Sequence, residues 1–222
     1  MKACVIGFPR SRSSILLETI SLFYNIPLLG EDINELTEDL KTPPSTDEYS
    51  ALLEKYRNVK DGVIRFHPFQ IHEMPREQML SKFELFNFEQ YDKIYITYRE
   101  SVADIIASNF VARRLKKYTY KSKDQLVTDI PKMTLSIESH AVVKDQIYFE
   151  SIVDQLKQYF TLHNISFEEL YYNDIPKYLT DHFPGVSSFH VETNYDYKSI
   201  IENYDDIESL YKFYKKQILG NQ

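Results

Sequence analysis

The chain has 222 residues, of which 43% are apolar, 14% aromatic and 27% charged; this fits one globular domain and argues against a disordered chain. Twenty-six Lys and Arg against 33 Asp and Glu leave a net charge of −7, which disfavours a general binder of nucleic acid or of an anionic membrane, so any anion must meet a local basic site. No apolar stretch approaches the ~20 residues that cross a bilayer, no export signal is legible, and the single cysteine, Cys4, builds no disulfide framework, so the expected setting is the reducing cytoplasm. The sequon Asn164-Ile165-Ser166 is accordingly read as coincidental.

In chain order, the apolar run Lys2 to Gly7 predicts a strand and the periodic stretch Ser13 to Asn25 a helix. A weaker strand signal covers Ile26 to Leu29. The stretch Thr37 to Thr46, with Pro43-Pro44, is irregular, and Asp47 to Asn58 reads as a helix. Then come a strand at Gly62 to Phe66, a helix at Arg76 to Tyr91, a strand at Lys93 to Tyr98 and a helix at Ser101 to Lys117. Tyr118 to Val142 is polar, holds Pro131 and shows no sustained period; it reads as a lid or binding loop, or as one more weakly amphipathic helix. A helix at Val143 to Leu162, a strand at Ile165 to Tyr172 and helices at Ile175 to Phe183 and Asp206 to Ile218 complete the chain.

Strands separated by long helical segments imply crossover connections and a parallel sheet covered on both faces. The expected class is therefore α/β: a three-layer domain whose mostly parallel sheet has about four or five strands. With no repeat and no linker-like segment, residues 1–222 are expected to form a single domain.

The opening strand leads through Phe8-Pro9-Arg10-Ser11-Arg12 into the helix beginning Ser13-Ser14. A helix start of this kind suits an anion. Its first N–H groups have no partner in the helix and lie at the positive end of the dipole. Ser11, Ser13 and Ser14 add hydroxyl donors, and Arg10 and Arg12 add charge. The Walker A pattern, G-x-x-x-x-G-K-[ST], fails here at its second Gly and at its Lys, which disfavours an ATP- or GTP-hydrolysing P-loop enzyme.

The loop instead resembles the 5′-phosphosulfate loop of the sulfotransferase family, Pro-[Lys/Arg]-Ser-Gly-[Thr/Ser]-[Thr/Ser], which wraps the 5′ end of 3′-phosphoadenosine 5′-phosphosulfate (PAPS). Pro9-Arg10-Ser11-Arg12-Ser13-Ser14 departs from that pattern only at Arg12, where the family usually has Gly. The resemblance implies a P-loop-like fold, PAPS as co-substrate, adenosine 3′,5′-bisphosphate as product and no metal. It also implies a second phosphate site, an Arg at a strand end with a Ser two turns into the next helix. Arg99, after Lys93 to Tyr98, and Ser108 resemble that pair, at an interval one residue longer than usual; Asp104 and Ser108, at i and i+4, share a helix face. Glu168-Glu169-Leu170-Tyr171-Tyr172-Asn173-Asp174-Ile175 resembles the family's Tyr-Glu-Asp-Leu strand end, which implies contact of Tyr172 with the adenine; the alternative is that Tyr171 and Tyr172 are ordinary strand residues.

By the same resemblance Arg10 is the catalytic cation at the bridging oxygen of the phosphosulfate. The acceptor must lose a proton to a base within hydrogen-bond reach. His67, in Gly62-Val63-Ile64-Arg65-Phe66-His67-Pro68, resembles the base of cytosolic members, and Glu31 or Asp32, after Gly30, resembles the carboxylate of tyrosylprotein sulfotransferases. His67, His72 and Glu73 lie close in sequence, but Pro68 interrupts them and no metal-ligand spacing is present. The acceptor is expected to be a small molecule, a carbohydrate or a peptide. Two other readings stay open: a P-loop nucleoside or small-molecule kinase, and a nucleotide-binding module without catalysis.

Overall fold

Strand β1, Lys2–Gly7, is buried along its whole length, which places it inside a sheet with neighbours on both edges and layers on both faces. The computed structural model describes residues 1–7, 11–29, 54, 60–66, 83–84, 86–115, 130–135, 139–187 and 195–220. Strands β2 (Gly62–Phe66), β3 (Lys93–Tyr98) and β4 (Glu168–Tyr171) join β1 in a four-stranded sheet of order β2-β1-β3-β4. Every pairing is parallel, with Val5 opposite both Arg65 and Tyr95, and Gly7 opposite Thr97. The chain passes from β1 outward to β2 and then back across β1 to β3. The boundary between β1 and β3 is therefore a switch point of strand order, where open α/β sheets hold ligands beyond their carboxyl ends.

Two-residue alternation divides the sheet into faces. Ala3, Val5, Val63, Tyr95 and Leu170 pack on Leu16, Leu17 and Ile20 of helix α1 (Ser13–Tyr24) and on Ile175 of a later helix. Cys4, Ile6, Ile64, Phe66, Ile94 and Ile96 point the other way, onto Phe149, Ile152, Val153, Leu156 and Phe160. Helix α2 spans Val102–Leu115, and those five residues belong to α3, Ser139–Leu162. Helix α4, Ile175–His182, follows β4, and a short helix α5, Tyr197–Ile200, precedes α6, Asp206–Leu219. Ala103, Ile106 and Phe110 of α2 meet Val142 and Ile147 of α3, Tyr197 and Ile207 in a separate cluster beside the sheet. The result is a three-layer α/β domain.

Three expectations change. The weak strand at Ile26 to Leu29 reduces to one parallel bridge, Leu28 with Val63, where Val63 N–H donates to Pro27 O at 3.0 Å and Leu29 N–H to Val63 O at 2.9 Å. Pro27 has no N–H with which to extend the ladder. The strand after α3 begins at Glu168 rather than Ile165, because Asn164 is left-handed (φ 55) and Ile165 N–H returns to Phe160 O at 2.8 Å, closing the helix end. Helix α3 starts at Ser139, so the end of the stretch Tyr118 to Val142 is helical. The helix expected at Asp47 to Asn58, save Glu54, and the irregular Thr37 to Thr46 lie outside the described residues. Of Arg76 to Tyr91, the described part ends in a 3-10 turn, Phe88–Gln90. No described helix is long and apolar enough to cross a membrane.

Candidate functional site

The carboxyl end of β1 and the start of α1 approach so closely that only glycine fits between them. A Cβ on Gly7 would lie 2.5 Å from both Cβ and Oγ of Ser13. Ser11 is fully buried, and its Oγ lies 2.6 Å from Oγ1 of Thr97, the residue opposite Gly7 on β3. This hydroxyl pair ties the loop after β1 to the neighbouring strand across the switch point. Arg12, the residue before the helix, is left-handed at φ 63 and ψ 15, a conformation that glycine adopts without cost. Its carbonyl accepts the N–H of Leu16 at 3.2 Å and so opens the helix. Ser13, the first residue of the helix, is buried.

Beside this turn stands Arg65, near the carboxyl end of β2 on the same face as Val63, and its Nη1 donates to Ser14 Oγ. Burial pushes its guanidinium down to about 10, because desolvation penalises the charged form. A cation in that position compensates an anion far more strongly than one in water.

The carboxyl end of β3 supplies Arg99, whose side chain is only 12% exposed. It donates no hydrogen bond to any described residue; its Nη2 faces Asp104 Oδ2 at 3.6 Å, longer than a hydrogen bond. Its guanidinium lies 4.5 Å from the ring centre of Tyr172 and 5.5 Å from that of Tyr197. Ser101 caps α2 by accepting the N–H of Asp104 at 3.1 Å. Asp104 and Ser108 do share a face of α2: Asp104 Oδ1 takes the hydroxyl of Tyr204 at 2.6 Å, and buried Ser108 takes that of Tyr197 at 3.0 Å. Burial, followed by the bond to Asp104, pushes the Tyr204 phenol up to about 12. Asp104, Tyr197 and Tyr204 line one side of a cleft of about 650 Å³, with Tyr195, Lys198 and Glu208 among its other walls.

Tyr172 joins the two halves. Its N–H donates to Tyr98 O at 2.8 Å, carrying the β3–β4 pairing one residue further, and Asn173 N–H donates to Glu100 Oε1 at 3.1 Å. The guanidinium of Arg12 lies 3.7 Å from the centre of the Tyr172 ring, and its Nη1 donates to the Tyr172 carbonyl. Arg12 and Arg99, from loops far apart in sequence, thus meet at one phenol ring, each within cation–π distance.

Of the residues singled out from sequence, Ser11, Arg12, Ser13, Ser14, Arg99 and Tyr172 lie at this edge, and Ser108 sits behind Tyr197. Arg10, Glu31, Asp32 and His67 lie outside the described residues, as do His72 and Glu73. Arg65, Thr97, Tyr197 and Tyr204 were not foreseen as site residues. The first two carried a signal, a charged and a hydroxyl side chain inside otherwise apolar strand runs; the tyrosines carried none. Among the described residues, no group of three or more His, Cys, Asp or Glu is placed to hold a metal ion. The chain matches no family model, no curated protein and no solved structure.

Proposed function

We propose that this chain is a cytoplasmic sulfotransferase that moves a sulfuryl group from PAPS to a hydroxyl, or to an amine, of a small molecule, carbohydrate or peptide. The observation that carries this reading is Arg99: nearly buried, donating no hydrogen bond to a described residue, and sharing the Tyr172 ring with Arg12. A guanidinium fork in that state is matched by the oxygens of a phosphate. Two cations meeting beyond the carboxyl ends of β1 and β3, with Ser13 and Ser14 opening α1, suit a ligand bearing an anionic group at each end.

In this reading Ser13, Ser14 and the first N–H groups of α1 hold the 5′-phosphosulfate, Arg12 and Arg65 add charge beside it, Arg99 takes the 3′-phosphate, and Tyr172 borders the adenine. Bound there, PAPS supplies an activated sulfuryl group. The acceptor's oxygen or nitrogen forms the new bond to sulfur as the bond from sulfur to the bridging oxygen breaks, and adenosine 3′,5′-bisphosphate leaves. The chain's own work is to align the two and to stabilise charge growing on the leaving phosphate, which falls to Arg10. The acceptor's proton goes to His67, Glu31 or Asp32.

Calorimetry with adenosine 3′,5′-bisphosphate, without metal, tests the reading. Binding is expected, with Arg99→Ala weaker by about tenfold or more, as for loss of a charged hydrogen bond. Preference for ATP with Mg2+ would favour a kinase, and binding without transfer from labelled PAPS to any acceptor class would favour an inactive module. Indifference to all these nucleotides would overturn the proposal.

A further inference from the structure

Asp104 faces Arg99 without hydrogen-bonding to it, and two contacts hold it back. Its Oδ1 is held by the Tyr204 hydroxyl at 2.6 Å, its N–H is bound to Ser101 Oγ at 3.1 Å, and only Oδ2 turns to Arg99, at 3.6 Å. Arg99 rests against the rings of Tyr172 and Tyr197, neither of which competes for its N–H donors.

We propose that Asp104 is the internal counter-ion of Arg99: it keeps the guanidinium compensated in the free protein, opposes an arriving phosphate, and hastens the departure of the bisphosphate product. This rests on the reading of Arg99 as a phosphate ligand. Without Asp104 a nearly buried cation would stand uncompensated, which is costly. A phosphate takes the fork bidentately, as a carboxylate 3.6 Å away does not, so the phosphate wins the donors. Asp104 then keeps Tyr204 alone and faces a second anion across the same guanidinium. Other charges nearby among the described residues include Arg12 across Tyr172, Glu100 bound to Asn173 N–H, and Lys198 over the Tyr204 ring at 5.6 Å, with the carboxylates of Asp196, Asp205 and Glu208 on the cleft that Asp104 and Tyr204 line.

Two substitutions should act in opposite directions. Asp104→Asn keeps the shape and an acceptor for Tyr204 but removes the charge; bisphosphate affinity should rise about tenfold, chiefly through slower dissociation in stopped-flow. Tyr204→Phe releases Oδ1, lets the whole carboxylate engage Arg99, and should weaken binding about threefold. The double variant should behave as Asp104→Asn alone. Unchanged or weaker binding by Asp104→Asn, or equal effects of the two single substitutions, overturns the proposal. If the bisphosphate does not bind the parent, inorganic phosphate read by thermal shift decides. Greater stabilisation of Asp104→Asn than of the parent leaves the counter-ion role standing and removes the nucleotide; equal or lesser stabilisation removes the role as well.

Discussion

Backbone and side chain make separate demands at Arg12. A left-handed residue with a Cβ costs roughly 1–2 kcal/mol that glycine does not, yet the guanidinium is held by the Tyr172 carbonyl and ring. Arg12→Gly relieves the first and loses the second. Stability by denaturant titration should stay within about 1 kcal/mol of the parent, while bisphosphate affinity should fall about tenfold. Unaltered affinity would take Arg12 out of the proposed anion site. Arg65, whose charge burial works against, donates to Ser14 beside the same turn. Arg65→Met removes that donor and a cation beside the proposed anion site, and should weaken bisphosphate binding by about tenfold in calorimetry. Unaltered affinity would make Arg65 structural.

Among elements, the decisive contact is that of β1 with α1. Gly7→Ala would drive a Cβ to 2.5 Å from Ser13 and so push the helix start off the strand end. Overpacking of this kind costs about 1–3 kcal/mol, which should lower the denaturation midpoint at unchanged slope and weaken anion binding with it. Loss of stability with intact binding would show that the Ser11–Ser14 turn keeps its geometry without β1. Strands β1, β2 and β3 were legible in sequence to the residue, because each is an apolar run bounded by polar or Gly residues and is buried on both faces. The reach of β4 was not, since Ile165 and Phe167 are apolar for another reason: they pack against the core as the chain leaves α3. Arg12's conformation was illegible because non-glycine residues seldom adopt it. The pairings of Asp104 with Tyr204 and of Ser108 with Tyr197 span about a hundred residues of sequence and follow from how α2 packs on the segment before α6, which no local pattern encodes.

Over the whole molecule the charge is −7, while Arg12, Arg65 and Arg99 gather at one edge of the sheet. The two facts make opposite demands on ligands of different size. A polyanion would lie against much of the surface and meet net repulsion, whereas the bisphosphate proposed above would sample only the edge. At a hundred times its dissociation constant, such a ligand stabilises by about 2.7 kcal/mol, which for a chain of roughly 150–250 residues raises the thermal midpoint by about 5–11 °C. That rise should survive 0.5 M NaCl in large part, because Arg99 is only 12% exposed and buried pairs are little screened. Duplex RNA or heparin at the same phosphate or sulfate concentration should produce no rise even at low salt. Equal stabilisation by heparin, lost as salt is added, would mean an exposed basic surface stronger than the overall charge allows. A bisphosphate effect alone would instead mean that selection by size is written into where the arginines stand.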